Sequence, residues 1–90
     1  MYQIEFTNEM KRNVKLMRRR GKDLRKLTEV LDILARGEQL PARNKDHQLT
    51  GNLRDFRECH IEPDWLLVYR VDEGELELFL FRTGSHSDLF

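Results

Sequence analysis

One cysteine, two prolines and five glycines are all that 90 residues hold of the types that cross-link or punctuate a chain. Cys59 alone cannot close an internal disulfide, and no thiolate cluster can be built for zinc. So few prolines and glycines exclude a Pro/Gly-rich linker or a low-complexity tail. No internal repeat is present. No apolar run approaches the roughly 20 residues that span a bilayer. Met1-Tyr2-Gln3-Ile4-Glu5 is not a basic segment followed by an apolar run, so no secretory signal is visible. The expectation is one soluble, cytoplasmic domain over residues 1–90, with one modest core and no membrane contact.

Net charge is also missing, but the balance conceals a division. Residues 1–45 carry 12 Lys+Arg against 6 Asp+Glu, and residues 46–90 carry 4 against 10. Within residues 11–26 nine side chains are basic and only Asp23 is acidic. Two readings stand for this block: a surface that collects phosphates, or a solvated helix face.

The apolar pattern is ordered. Tyr2, Ile4 and Phe6 alternate with polar residues, which predicts a short strand. Thr7 or Asn8 can cap a helix whose stripe is Met10, Val14 and Met17 and which runs to about Arg20. Gly21 breaks it. Asp23 opens a second helix with the stripe Leu24, Leu27, Val30, Leu31 and Leu34, and Gly37 suits its C-cap. Residues 38–52 read as a long loop, and a loop of that length in a small domain is often functional. Three strands follow, over 53–61, 65–71 and 76–82. The middle one, Trp65–Val71, is apolar on both parities and therefore central. Asp72-Glu73-Gly74-Glu75 is a hairpin turn signal. The predicted order is β-α-α-β-β-β: an α+β fold of two layers, a small twisted sheet with an N-terminal helical hairpin on one face.

The residues suited to chemistry lie in the C-terminal half. His47, His60 and His86 each sit among polar neighbours, and none lies on an apolar helical stripe. Taken singly, each is an ordinary surface or core histidine; three near strand ends, with carboxylates close by, point toward function. RNA can be cleaved without a cofactor, because its own 2′-OH attacks the adjacent phosphorus. The catalyst must take that proton, protonate the departing 5′-oxygen and stabilise the phosphorane. Histidine suits proton transfer, a carboxylate can act as base or orient an imidazole, and an arginine fork fits phosphate oxygens. Glu58 and His60 are two apart on one strand, so they share a face. Asp64 follows Pro63, and Arg82 and His86 bracket the last strand end. Ion pairs with Arg54 or Arg57 are the plain alternative for Glu58 and Asp64. Cys59 and His60, as strand neighbours, point to opposite faces and cannot act together. A metal site on the histidines and acids lacks any compact ligand spacing. Arg82 shares parity with Leu76, Leu78 and Leu80, so a bulge, an edge twist or an early strand end must turn it outward. The terminal Phe90 fits either a hydrophobic pin or a stacking platform for a base.

Lys45-Asp46-His47, Leu49 and Gly51, Phe56-Arg57-Glu58-Cys59-His60-Ile61-Glu62-Pro63-Asp64-Trp65, Leu67-Val68-Tyr69 and Arg82-Thr83-Gly84-Ser85-His86-Ser87-Asp88-Leu89-Phe90 resemble the YafQ-type toxins of the RelE/ParE superfamily. The resemblance runs the full length. It implies a RelE-like fold and the toxin component of a type II toxin–antitoxin system. It further implies a metal-independent, cofactor-free endoribonuclease that cleaves mRNA in the ribosomal A site. The implied partners are a cognate antitoxin encoded by a small upstream gene and, through the antitoxin complex only, operator DNA. By position, His47, Glu58, His60, Asp64 and His86 match the catalytic set. Arg82, Phe90 and Lys45 match substrate-binding positions. Arg18, Arg19, Arg20, Lys22, Arg25 and Lys26 become candidates for RNA-backbone contact. The roles expected are His86 as general acid, Asp64 with His60 or Glu58 on the base side, and His47 with Arg82 on phosphate. Two competing readings are a ParE-like DNA gyrase poison on the same scaffold, which has no need of the histidine and acid set, and a non-enzymatic RNA-binding module, which leaves the histidines unused.

Overall fold

The alternation at Tyr2, Ile4 and Phe6 becomes an edge strand, β1 (Gln3–Phe6), in a computed structural model that describes residues 1–90. The Thr7 hydroxyl accepts the Met10 N–H and starts α1 (Asn8–Arg19). Asp23 caps α2 (Leu24–Ala35) through the Arg25 N–H. Gly37, in the left-handed region at φ +74°, ends that helix against the Tyr2 ring. Both predicted helices and their caps are present.

The segment read as a loop holds more order than expected. A single 3-10 turn over Ala42–Asn44 leads to a two-residue strand, β2 (His47–Gln48), and a second such turn covers Gly51–Leu53. β3 is Arg57–Glu62, β4 is Trp65–Asp72 and β5 is Glu77–Gly84. A short helix, α3 (His86–Leu89), closes the chain. The sheet therefore has five strands, not four, in the order β1-β5-β4-β3-β2. β1 runs parallel to β5 and the other pairs are antiparallel. Leu76, predicted in the last strand, lies in the preceding turn at φ +54° and is exposed. Its β-branch-free side chain tolerates a conformation that the four-residue turn imposes there.

β4 is central, as its two-sided apolar pattern requires. Trp65, Leu67 and Tyr69 pack on the helical hairpin with Met10, Met17, Leu27, Val30, Leu31, Leu34, Leu78 and Leu80. Leu66 and Val68 face the other way and are covered by Leu89 of α3. The helices thus cover one face, and α3 caps part of the second.

Two irregularities decide which side chains reach that second face. Between Val68 and Tyr69, β5 carries one extra residue, Phe81, so Leu80 faces the helices while Arg82 sits opposite Val68. This is the bulge the parity of Arg82 demands. In β3 the extra residue is Ile61, between His60 and Glu62. Ile61 joins the helix-side core, and Glu62 reaches Lys22 and Lys26. No helix is long and apolar enough to cross a membrane.

Thr83 joins the core to the end of β5. Its buried hydroxyl accepts the Trp65 indole N–H at 2.9 Å and donates to the Leu66 carbonyl at 2.5 Å. Thr83→Val keeps the shape but leaves a buried indole N–H without an acceptor. A loss of about 1–3 kcal/mol is expected, read from the urea midpoint at unchanged m-value.

Candidate active site

The register aligns the candidates in rows across the second face. His47 lies opposite Glu58, Glu58 opposite Val68, and Val68 opposite Arg82, so one row crosses β2, β3, β4 and β5. The next row is His60, Leu66 and Gly84. Beyond its end, Asp64 in the Pro63-Asp64 turn meets His86 at the start of α3. Glu58 and His60 share this face as predicted, roughly 7 Å apart along β3.

Each imidazole has its Nδ1 held. His86 Nδ1 donates to Asp64 Oδ1 at 2.6 Å, and the same oxygen accepts the His86 backbone N–H at 2.9 Å. His60 Nδ1 faces the Pro63 carbonyl at 3.2 Å, and His47 Nδ1 faces the Lys45 carbonyl at 2.8 Å. A carbonyl or an ionised carboxylate can only accept, so Nδ1 carries a proton in all three and Nε2 is the nitrogen left for other partners. The His60 and His86 rings stand 5.8 Å apart between centroids. His47 Nε2 lies 3.4 Å from Glu58 Oε1.

Asp64, placed by role with His60 or Glu58 on the base side in the sequence reading, is bonded to His86. The hairpin turn aims its carboxylate across β4 at the chain entering α3. The His86 backbone N–H, then its ring N–H, hold the Asp64 carboxyl below its ordinary value. Glu58 is 6% exposed, and its Oε2 is buried with no hydrogen-bond partner. Arg82 stacks over the Phe81 ring at 4.3 Å and its Nε lies 3.3 Å from Glu9, out of line for a hydrogen bond. Phe90 is 69% exposed, while Leu89 serves as the apolar pin. Cys59 lies in the helix-side core, where burial pushes its thiol up to about 12, which removes it as a nucleophile.

Lys45, exposed and at φ +47°, borders an open cleft of about 300 Å³ lined also by Arg43, His60 and Pro63. The basic block divides. Arg20 pairs with Asp88, Lys22 and Lys26 pair with Glu62, and Arg25 pairs with Asp23. Arg18 and Arg19 are exposed and make no ion pair within 4 Å.

Supporting residues that the sequence did not disclose hold this geometry. Asn44 donates from Nδ2 to the His60 carbonyl at 2.7 Å. Asp46 accepts from Arg57 and, at 2.5 Å, from the buried Tyr69 hydroxyl. This ties the segment carrying His47 to β3 and β4. The only sequence sign of it is a buried-strand tyrosine, whose hydroxyl needs a partner. No group of three or more His, Cys, Asp or Glu side chains converges closely enough to hold a metal ion.

Comparison with known proteins points one way. Residues 2–90 match the family described as "Bacterial toxin of type II toxin-antitoxin system, YafQ". The mRNA interferase toxin YafQ of Escherichia coli K12 is 39% identical over 88 residues, covering 97% of this chain and 94% of the relative. A metal-bound toxin from Helicobacter pylori has a TM-score of 0.94 at 46% identity, with both chains covered completely. YafQ in the E. coli DinJ–YafQ complex has a TM-score of 0.92 at 36% identity, covering 100% of this chain and 99% of that one.

The Asp64 geometry fixes a pH window. Its folded-state pKa lies below the ordinary 3.8. The anchoring of His86 is therefore fully present above that value and is lost as pH falls through the lower folded-state value. In an NMR titration the His86 amide should move below pH 3.8. Asp64→Asn should abolish that transition.

Proposed function

We propose, from the premise that this chain belongs to the YafQ family of type II toxins and is an mRNA interferase, that the face opposite the helical hairpin cuts RNA by general acid–base catalysis without a metal. Membership makes the chain the toxin of a toxin–antitoxin system and an endoribonuclease. It displaces the gyrase-poison and RNA-binding-module readings. The finer proposal is that residues 1–90 act as one toxin domain in the cytoplasm on mRNA in the ribosomal A site. A cognate antitoxin, as in the DinJ–YafQ complex, blocks that face, and operator DNA is met only through the antitoxin complex.

The observation that carries the chemistry is His86 bonded to Asp64 at 2.6 Å with the His60 ring 5.8 Å away. Oriented by Asp64 through Nδ1, His86 is the general acid and gives the proton on Nε2 to the departing 5′-oxygen. His60, whose Nδ1 rests on a neutral carbonyl, presents a free Nε2 lone pair and takes the 2′-OH proton. His47, beside Glu58, and Arg82 at the far end of the same row bind the non-bridging oxygens. Glu58 faces Nε2 of His47 and is the partner of that ring, not the base. Phe90 stacks on an unpaired base, and Lys45 holds the flanking backbone. Arg18 and Arg19, which have no acid of their own, contact RNA phosphates.

The products are a 2′,3′-cyclic phosphate and a 5′-hydroxyl. His86→Ala should lower single-turnover cleavage on translating ribosomes by about 10²–10⁴-fold while circular dichroism stays native. A folded His86→Ala protein that cuts at the normal rate and still arrests growth would falsify this assignment. Replacing Arg18 and Arg19 by serine should raise the half-saturating ribosome concentration. It should also reduce the log–log salt slope by about 1 for each RNA phosphate that the arginines neutralise.

A further inference from the structure

α3 has four residues, far fewer than a helix needs to persist by itself. Its one buried side chain is Leu89. Yet it carries His86, whose proton must arrive within a fraction of an ångström of the leaving oxygen. Something besides the apolar pin must fix it.

The fixing group is Asp88. Its Oδ2 accepts the Ser85 backbone N–H at 2.8 Å, and the Ser85 hydroxyl accepts the Asp88 N–H, so the two residues close a reciprocal cap around His86. The carboxylate is also gripped from outside. Arg20 Nη1 donates to Oδ2 at 2.5 Å and Nη2 to Oδ1 at 3.0 Å, a two-pronged fork. Arg20 is the C-cap residue of α1, so it extends from a helix that is itself packed on the core. Gly84 makes room for the fold-back: a Cβ there would lie 2.8 Å from both Asp88 Cβ and Oδ2. Arg20, by its side-chain hydrogen bond, and then the Ser85 N–H hold the Asp88 carboxyl well below the usual carboxylate range.

We infer that Arg20 is a positioning residue for the cleavage reaction, locking α3 through Asp88 so that His86 is aimed at the scissile phosphate, and that it is not an RNA-backbone contact. The inference rests on His86 being the proton donor. Two of the five Arg20 N–H donors already serve the Asp88 carboxylate, whose charge offsets the attraction of the guanidinium for a phosphate. An exposed pair of this kind ordinarily adds little to global stability. Its effect belongs to placement, through the few residues between Gly84 and the chain end.

The test is single-turnover mRNA cleavage on translating ribosomes, with the His86 imidazole followed by NMR in the free protein. Arg20→Ala should lower the rate at saturating ribosomes by about 10–100-fold, with the half-saturating concentration held within about twofold. The His86 resonances should shift and broaden while the melting profile stays cooperative. Gly84→Ala, which displaces Asp88 and removes no charge, should give the same pattern, and Arg20→Lys should recover part of the rate. If Arg20→Ala raises the half-saturating concentration and spares the rate at saturation, Arg20 is an RNA contact and the inference is wrong. It is equally wrong if His86 resonances and rate both stay native. If the His86 resonances are released but cleavage proceeds at the normal rate, the lock exists and His86 is not the donor. That result overturns the catalytic assignment instead.

Discussion

The reactive face depends on two extra residues, Phe81 in β5 and Ile61 in β3, on either side of the central strand. A pleated strand alternates strictly, so any one-residue insertion exchanges the faces for everything beyond it. Leu78 and Leu80 must face the helices to complete the core. With regular pairing Arg82 would follow them inward, where a guanidinium has no partner. Phe81 breaks the alternation and delivers Arg82 to the row shared by Val68, Glu58 and His47. Ile61 does the opposite for charge. Glu62 has the parity of Glu58 and His60 and would otherwise add a third anion near a polyanionic substrate. The bulge turns it toward Lys22 and Lys26, which together hold its carboxyl below the usual range.

That exchange explains how a chain divided into a basic half and an acidic half can act on RNA. The acids of the C-terminal half do not all confront the substrate. Glu62 and Asp88 are neutralised by cations of the helical hairpin, and Asp46 by Arg57. Asp64 is occupied by His86 and Glu58 faces His47. The basic block is therefore partly internal cement. What it leaves for a nucleic acid is Arg18 and Arg19, together with the chains nearer the start of α1. Counting cations along a sequence overstates an RNA-binding surface by the number that fold back onto acids.

Much of the fold was legible because it follows from period and punctuation. The stripes Met10-Val14-Met17 and Leu24–Leu34 dictate the hairpin, and two-sided apolarity places Trp65–Val71 at the sheet centre. The shared face of Glu58 and His60 and the need for a bulge at Arg82 follow from parity alone. β2 was hidden because His47-Gln48 has no apolar pattern; it forms by pairing with Glu58 and Arg57, a tertiary event. α3 was hidden because four residues carry no period. Its signal was the Ser85-x-x-Asp88 spacing, a capping box with aspartate in place of the usual glutamate. The partner of Asp64 could not be read at all, since twenty-two residues separate it from His86 and only the β3–β4 turn and the end of β5 bring them together.

The three imidazoles differ in what sits behind them, and the proposed division of work follows that difference. All are oriented through Nδ1, so geometry alone would make them interchangeable. Behind His86 stands a full negative charge; behind His60 and His47 stand neutral carbonyls, and His47 gains its charge partner at the opposite nitrogen. The ring proposed as the acid is thus the one whose Nδ1 is held by a carboxylate. The ring proposed as the base is held by a carbonyl, which fixes the tautomer without a full charge. The ring proposed to hold phosphate has its carboxylate in front instead, with Glu58 facing Nε2 of His47. One residue type thus stands in three different settings on one face. The distinction is made by the backbone turns at Pro63-Asp64 and Lys45, which decide whether each ring meets a charge or a dipole.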